Sequence, residues 1–472
     1  MNRPQHIHII GICGVATSAI AIAFQDKGWK VTGSDKGIYP PVSTHLTEAG
    51  IEYYAGWHPE KIGAPDIVMI GGVGTSPSNP EVMYAKEHNI PVYAYPEILQ
   101  KYFIKKNSIV VAGTWGKTTV SSLLSFILLK ADFDPSYFTG GLSLSHKTGA
   151  LSDSEWSVIE GDEYQVSISD KRPKFVYYSP THLLLTSVSW DHADLYPTED
   201  AYFNEFSKLI TSIPQEGMIV ACSDDSGVKK VLGNNVVARV VTYGKSEEAD
   251  YYYHSISHTK NGLSFVIRHK GTDYKLSSPM LGRFNVENIA GAFAMAHSIG
   301  VDAQQIISSI QEFQGIKRRL EKRYEGKITI LDCHAPTAEK ATSVLESIRE
   351  VYDKKIIAVY EPNIGGRQKA SAKMYDNAFK KADIVVIPHL TKLKIAVGAS
   401  ELPMEGSELT TTITLTHPHV IYIEDDTKVV EFIQQEAQPG DVVAFLGSHG
   451  FRGMIEETIT SASISPRQQS QS

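Results

Sequence analysis

Residues 108–131, SIVVAGTWGKTTVSSLLSFILLKA, constrain the fold more than any other stretch of the chain. An apolar β-type run meets a glycine turn and then a helical pattern whose apolar positions are Val120, Leu123, Leu124, Ile127 and Leu128. A strand passing through a glycine turn into a helix is an α/β signature. Within Gly113-Thr114-Trp115-Gly116-Lys117-Thr118-Thr119, backbone N–H groups and the helix N-terminus can cradle phosphates, Lys117 can neutralise their charge, and Thr118 can ligate Mg²⁺. The full phosphate-loop pattern wants glycine at position 111, where Val111 stands, so this is a shorter variant. A plain Gly/Lys turn is the bland alternative, and it leaves the strand–loop–helix setting unexplained.

The rest of the chain extends the α/β pattern. Residues 6–12, HIHIIGI, read as a strand, followed by a helix ending near Gly28 and a second strand ending at Asp35, which makes a βαβ unit. Strand candidates DIVMIGG and PVYAY carry it on, so a first domain is expected over 1–107. A central domain over 108–315 adds strands WSVIEGDE and HLLLTSVSWDH, an antiparallel insertion at about 245–280, and a helix starting near Asn285. A third α/β block over 316–462 alternates strands KITILDC, KKIIAVYEP, DIVVIP, VIYIED and DVVAFLG with helices expected at 337–352, 368–381, 427–436 and 451–460. The polar, aperiodic end, 463–472, reads as a disordered tail. A chain of 472 residues exceeds what one core serves, consistent with about three domains.

Composition excludes several functions. The net charge of −8 opposes a nucleic-acid footprint, so phosphate binding must be local. Cys13, Cys222 and Cys333 are too far apart for a C-x-x-C zinc or redox site, no apolar run is long enough to span a membrane, and the opening residues run straight into a strand-like segment, so a signal peptide is not expected. A cytoplasmic location without membrane insertion is expected.

Three further motifs can bind ligands. Glu160-Gly161-Asp162-Glu163 and Asp191-His192-Ala193-Asp194 end two strands, where carboxylates and a histidine can hold the Mg²⁺ of a triphosphate; separately, each is more often a solvated turn or a cap. Gly11-Ile12-Cys13-Gly14-Val15-Ala16, with Asp35 at the next strand end, resembles a dinucleotide fingerprint with one glycine replaced by alanine. It predicts a docked diphosphate without separating NAD from UDP.

Taken together, GTWGKTTV, EGDEY, SWDHADLY, GRFNVENIAGA and GIKRRLE stand in the order and spacing of the murein (Mur) ligases, and the resemblance spans nearly the whole chain. It implies a three-domain α/β architecture: a Rossmann-like N-terminal domain, a central P-loop ATPase domain and a Rossmann-like C-terminal domain. It also implies ATP and Mg²⁺ as cofactors, and an amide ligation through an acyl phosphate in cell-wall (peptidoglycan) biosynthesis. Segments SDKRPKFVYY, DHADLYPTEDAY and GSHGFRGM look most like the murein-peptide branch, whose substrates are UDP-N-acetylmuramate and a ready-made peptide; alanine addition is the next reading.

By this resemblance Gly113, Thr114, Gly116, Lys117, Thr118 and Thr119 contact ATP, with Thr118, Glu160 and His192 as metal ligands. Asn285 and Asn288 match the adenine side, and Arg319 and Asp332 the nucleotide contacts of the third domain. Gly11, Gly14, Ser18, Asp35 and His58 match the uridine-diphosphate pocket. Arg452, in the glycine-rich loop 447–453 after a strand, is expected to offer a forked donor to a carboxylate of the amine substrate. The chain departs from the family pattern at Trp115, at Phe284, in the shortened run 332–337 and around 360–367. A folate-type ligase, a non-catalytic nucleotide-binding homologue and an NAD dehydrogenase are the competing readings; the last leaves the loop at 113–119 unexplained. A monomer or homodimer is expected.

Overall fold

The computed structural model describes residues 5–39, 42–72, 76–167, 169–192, 194–233, 236–391 and 402–463. One compact unit comprises Met1–Ile256, Ser264–Pro279 and Phe284–Gly315, and a second comprises Ser257–Leu263, Met280–Arg283 and Ile316–Ser472.

In the first unit, β1 (His6–Ile10), β2 (Lys30–Asp35), β3 (Glu52–Ala55), β4 (Ile67–Ile70) and β5 (Val92–Ala94) form a parallel sheet in the order β3-β2-β1-β4-β5. Strand order reverses at β1, so a crevice opens at its carboxyl end, where the glycine turn leads into α1 (Val15–Asp26). Ile7 and Ile9 pack with Ile20, Ala23 and Phe24 of α1, while Ile10 joins a separate cluster with Val68 and Val82. Burial on two faces explains why the strand reads as a nearly unbroken apolar run. Gly28, at φ +87°, ends the helical segment as its position predicts.

A ten-stranded sheet follows, built from β6 (Asn107–Ala112), β7 (Ser136–Phe138), β8 (Gly149–Ala150), β9 (Trp156–Gly161), β10 (His182–Leu185), β11 (Met218–Cys222), β12 (Arg239–Gly244), β13 (Tyr251–Thr259), β14 (Gly262–His269) and β15 (Thr272–Ser278). Its order is β15-β14-β13-β12-β11-β10-β6-β9-β7-β8. The pairs from β12 through β7 are parallel, which places β6 inside a parallel core. The expected insertion forms β13 to β15 at one edge. From β6 the chain turns into α2 (Lys117–Lys130), which packs on α3 (Phe284–Ser298).

The second unit holds β16 (Glu321–Glu325), β17 (Thr329–His334), β18 (Ile356–Glu361), β19 (Ile384–Pro388), β20 (Val420–Ile423) and β21 (Val442–Gly447), in the order β16-β17-β21-β18-β19-β20. All pairs are parallel except the edge pair β16–β17. Leu331, Ala358, Val385 and Ala444 pack on one side; Ile330, Ile357, Val386 and Val443 pack on the other.

Two expected helices differ. Residues 368–381 form a 3₁₀ segment at Lys369–Tyr375, and Asn377 at φ +58° then breaks any continuation. The last helix, Met454–Ser463, starts late because Phe451, Arg452 and Gly453 all take positive φ. Ser463 closes that helix, and the rest of the expected tail, 464–472, lies outside the described residues. No helix among the described residues is long and apolar enough to cross a membrane.

Candidate functional site

The glycine loop leaves β6 between β10 and β9, at the carboxyl edge of the parallel core. Gly113 takes φ +141° and Gly116 φ +83°, conformations that exclude an ordinary side chain. Packing excludes one too: a Cβ would lie 2.2 Å from Thr186 Oγ1 at Gly113 and 2.4 Å from Asn288 Oδ1 at Gly116. Lys117 folds back over the loop, donating to the carbonyls of Gly113 (2.6 Å) and Thr114 (3.2 Å) and to Glu163 (3.0 Å). Burial works against its charge, but Glu163 outweighs this with help from Asp162 and Glu160, so the ammonium pKa is raised. The first-turn N–H groups of α2 have no intrahelical acceptor, the usual setting for an anion.

Thr114, expected at ATP, is held by bonds to the segment after β10. Its N–H donates to Ser187 O (2.8 Å), and its hydroxyl sits within hydrogen-bond distance of Ser189 O (2.9 Å) and Tyr202 Oη (3.0 Å). These bonds tie the loop to the segment after β10. Thr119 is buried in the first turn of α2.

Thr118 Oγ1 donates to Glu160 Oε1 at 2.9 Å, and Gly140 N donates to Glu160 Oε2 at 2.6 Å. Burial raises the Glu160 pKa against the pull of Lys117. A hydroxyl beside a carboxylate fits Mg²⁺, which takes one or two protein oxygens and fills its octahedron with water and phosphate. His192 was expected beside Glu160; instead its Nε2 lies 3.6 Å from Glu163 Oε1, and hydrogen bonding to that carboxylate raises its pKa. Among the described residues no group of three or more His, Cys, Asp or Glu is gathered as a metal site. Glu163, 2% exposed, is the central residue, which the motif included without giving it a role of its own. Three acids crowd Glu160 to Glu163, and nothing in their spacing tells which one meets Lys117.

Asn285 and Asn288 are buried on the first turns of α3, and Asn288 donates to Asn285 at 2.9 Å. They lie behind the loop, with Asn288 against Gly116.

At the N-terminal crevice, Gly11 takes φ +84°. A Cβ at Gly14 would sit 2.9 Å from Thr17 Oγ1. Two expected ligand contacts are used internally. Ser18 donates its hydroxyl to Val15 O (3.0 Å), and Asp35 accepts from the backbone N–H groups of Cys13 (2.8 Å) and Gly37 (3.1 Å). Asp35 thus holds the glycine turn in shape. His58 is placed by its own N–H, which donates to buried Glu81 at 2.7 Å, leaving the imidazole near Glu60.

Arg319 and Asp332 belong to the second unit. Asp332, expected at the nucleotide, is 3% exposed and accepts from Arg318 at 3.2 Å. Burial raises its pKa against the arginines. Arg318, at φ +63°, also donates to the carbonyls of Gly447, Ser448 and His449, which ties the chain entering β16 to the loop after β21. Arg452 also departs from expectation. Its guanidinium donates to both oxygens of Asp426, to Glu361, to Thr391 and to His389 O, at 2.6–3.2 Å. A guanidinium has five N–H donors, and all are engaged here, leaving no fork for a substrate carboxylate.

Family descriptions match along the chain: "Mur ligase family, catalytic domain" over residues 6–106, "Mur ligase middle domain" over 111–296, and "Mur ligase, glutamate ligase domain" over 318–449. A UDP-N-acetylmuramate–L-alanine ligase of Mesorhizobium japonicum is 30% identical over 95% of this chain and 96% of its own. The UDP-N-acetylmuramate–L-alanyl-γ-D-glutamyl-meso-2,6-diaminoheptandioate ligase of Haemophilus influenzae is 32% identical over 96% of this chain and 98% of its own. Among solved structures, a Thermotoga maritima UDP-N-acetylmuramate-alanine ligase shares the fold with a TM-score of 0.79 at 22% identity, covering 99% of this chain and 100% of its own. A Psychrobacter arcticus murein peptide ligase has a TM-score of 0.69 at 26% identity, covering 98% and 99%.

Proposed function

Because the chain belongs to the Mur ligase family of ATP-dependent amide ligases, we propose that it joins an amine to the carboxylate of UDP-N-acetylmuramate in the cytoplasm. The carrying observation is Lys117 and Thr118 at the first turn of α2, held against Glu163 and Glu160, in a chain that aligns end to end with ligases named for that acceptor.

The acceptor carboxylate attacks the γ-phosphorus of ATP, the bond to the ADP oxygen breaks, and an acyl phosphate forms. The amine then attacks the acyl carbon, loses a proton, and inorganic phosphate leaves. Lys117 exchanges its loop carbonyls for phosphate oxygens, and the N-terminus of α2 orients the chain of phosphates. Thr118 and Glu160 would hold Mg²⁺, which neutralises charge building on those oxygens. Gly11, Gly14 and His58 line the proposed diphosphate crevice, with Asp35 and Ser18 bracing its turn.

L-Alanine is the proposed amine, following the Mesorhizobium relative, a ligase named for that amine. A tripeptide amine is the second reading, favoured by the 32% identical Haemophilus relative. The test is phosphate release with UDP-N-acetylmuramate, ATP and either L-alanine or L-alanyl-γ-D-glutamyl-diaminopimelate. Release with alanine supports the proposal, and release with the tripeptide alone replaces it by the second reading. No amine-dependent release would leave a nucleotide-binding protein without ligase chemistry.

A further inference from the structure

The exposed Trp and Phe side chains among the described residues are Trp115 (52% exposed), Trp190 (49%) and Phe284 (46%). Isolated exposed apolar residues need no explanation, but these gather around one loop. Trp115 lies in it. Trp190 follows Ser189, which is bonded to Thr114. Phe284 opens α3 four residues before Asn288, so both share a helix face, and Asn288 abuts Gly116.

The presentation of Trp115 is rigid. Its N–H donates to Ser187 Oγ (3.0 Å), and its carbonyl accepts from Thr186 Oγ1 (2.6 Å), so the backbone is pinned on both sides while the indole stays open. Asn285 and Asn288 are buried and bonded to each other. Trp115 and Phe284 are thus exposed aromatic side chains adjoining the phosphate cradle. Planar π-faces hold a nucleobase by stacking, and stacking tolerates different bases because every base has a π-face.

We propose that Trp115 and Phe284 form a stacking platform for the nucleotide base, so that this chain selects its triphosphate by the ring face and accepts other purines, GTP included, beside ATP. The proposal deepens the phosphate-loop reading and rests on it. Trp190 is not part of the platform, since its Nε1 donates to Tyr196 O and fixes it on the segment carrying His192.

The experiment measures Kd by calorimetry for ATP, GTP and inorganic tripolyphosphate, each with magnesium, in the intact protein and in Trp115→Ala, Trp115→Phe, Phe284→Ala and Lys117→Ala. Stacking predicts ATP and GTP affinities within about tenfold of each other, and a loss of at least about fivefold for both in Trp115→Ala and Phe284→Ala. Tripolyphosphate affinity should stay unchanged in those two variants, and Trp115→Phe should restore most of the nucleotide affinity. Equal weakening of ATP and tripolyphosphate would mean that the loop had been damaged, and would overturn the platform, as would unchanged ATP affinity or a preference for ATP over GTP beyond about a hundredfold. Lys117→Ala separates the two readings: if it leaves tripolyphosphate binding intact, the phosphate loop fails, whatever the aromatic variants do.

Discussion

Glu163→Ala removes the carboxylate that Lys117 meets at 2.8–3.0 Å in a site where the two side chains are 13% and 3% exposed. Breaking a buried ion pair by removing one partner costs about 3–5 kcal/mol, because the other charge stays desolvated. Lys117 keeps the carbonyls of Gly113 and Thr114, so the low end, about 3 kcal/mol, is expected. Lys117→Met strands Glu163 in the same way. The double variant Lys117→Met/Glu163→Ala removes both members of the pair and should be more stable than the sum of its singles by about 1.5–3 kcal/mol. The assay is urea unfolding followed by tryptophan fluorescence. All five tryptophans, Trp29, Trp57, Trp115, Trp156 and Trp190, lie in the first unit, so the signal reports on the unit that carries the pair. With a urea slope of about 2–3 kcal/mol per molar, Glu163→Ala should lower the midpoint by about 1 M. Singles that add to within about 0.5 kcal/mol of the double would refute the coupling and make the contact incidental.

Gly113→Ala should lower stability by at least about 2 kcal/mol through strain at φ +141° and the approach to Thr186, whereas Gly450→Ala, with nothing within 4 Å of its Cβ, should be near neutral in the same melts. Burial pushes His146 and His334 down to about 4, with nearby arginines adding to the effect at His334. Both stay neutral in the fold and take up protons on unfolding, so stability is full above about pH 6.5 and is lost towards pH 4; thermal midpoints that hold steady or rise on acidification would contradict this. Arg452→Ala strands Glu361, which is 1% exposed, and should cost the second unit about 3 kcal/mol while leaving KM for alanine and for the tripeptide unchanged; a raised KM for either amine, both of which carry a carboxylate, would return Arg452 to the substrate. Thr118→Ala and Glu160→Gln should each raise the Mg²⁺ concentration giving half-maximal phosphate release, and unchanged half-saturation in both would make the pair structural.

How the loop at 113–119 is reached is legible in the sequence alone. The glycines, the lysine and the apolar spacing of the following helix are local signals, set by φ freedom and by a 3.6-residue period that act over a few residues. The parallel sheets were legible for a similar reason, since strands covered on both faces must be apolar throughout. Other features have no local signature. The helix Gly406–Thr414 is built from GSELTTTIT, whose threonines favour strands, and it is helical because Leu409 and Ile413 pack into the core beside β19.

The partners of the charged groups lay further still from what a sequence can say. Glu163 and Glu160 differ by three positions, yet one holds Lys117 and the other Thr118. Arg318 rather than its neighbour Arg319 is the one shown holding Asp332, and Arg452 meets a glutamate 91 residues away. Motif spacing determined which residue types gather at a strand end, because backbone geometry repeats along the chain. Which acid faces which cation was decided by the tertiary fold, because side-chain direction at a strand end depends on the turn that follows and on desolvation by segments distant in sequence.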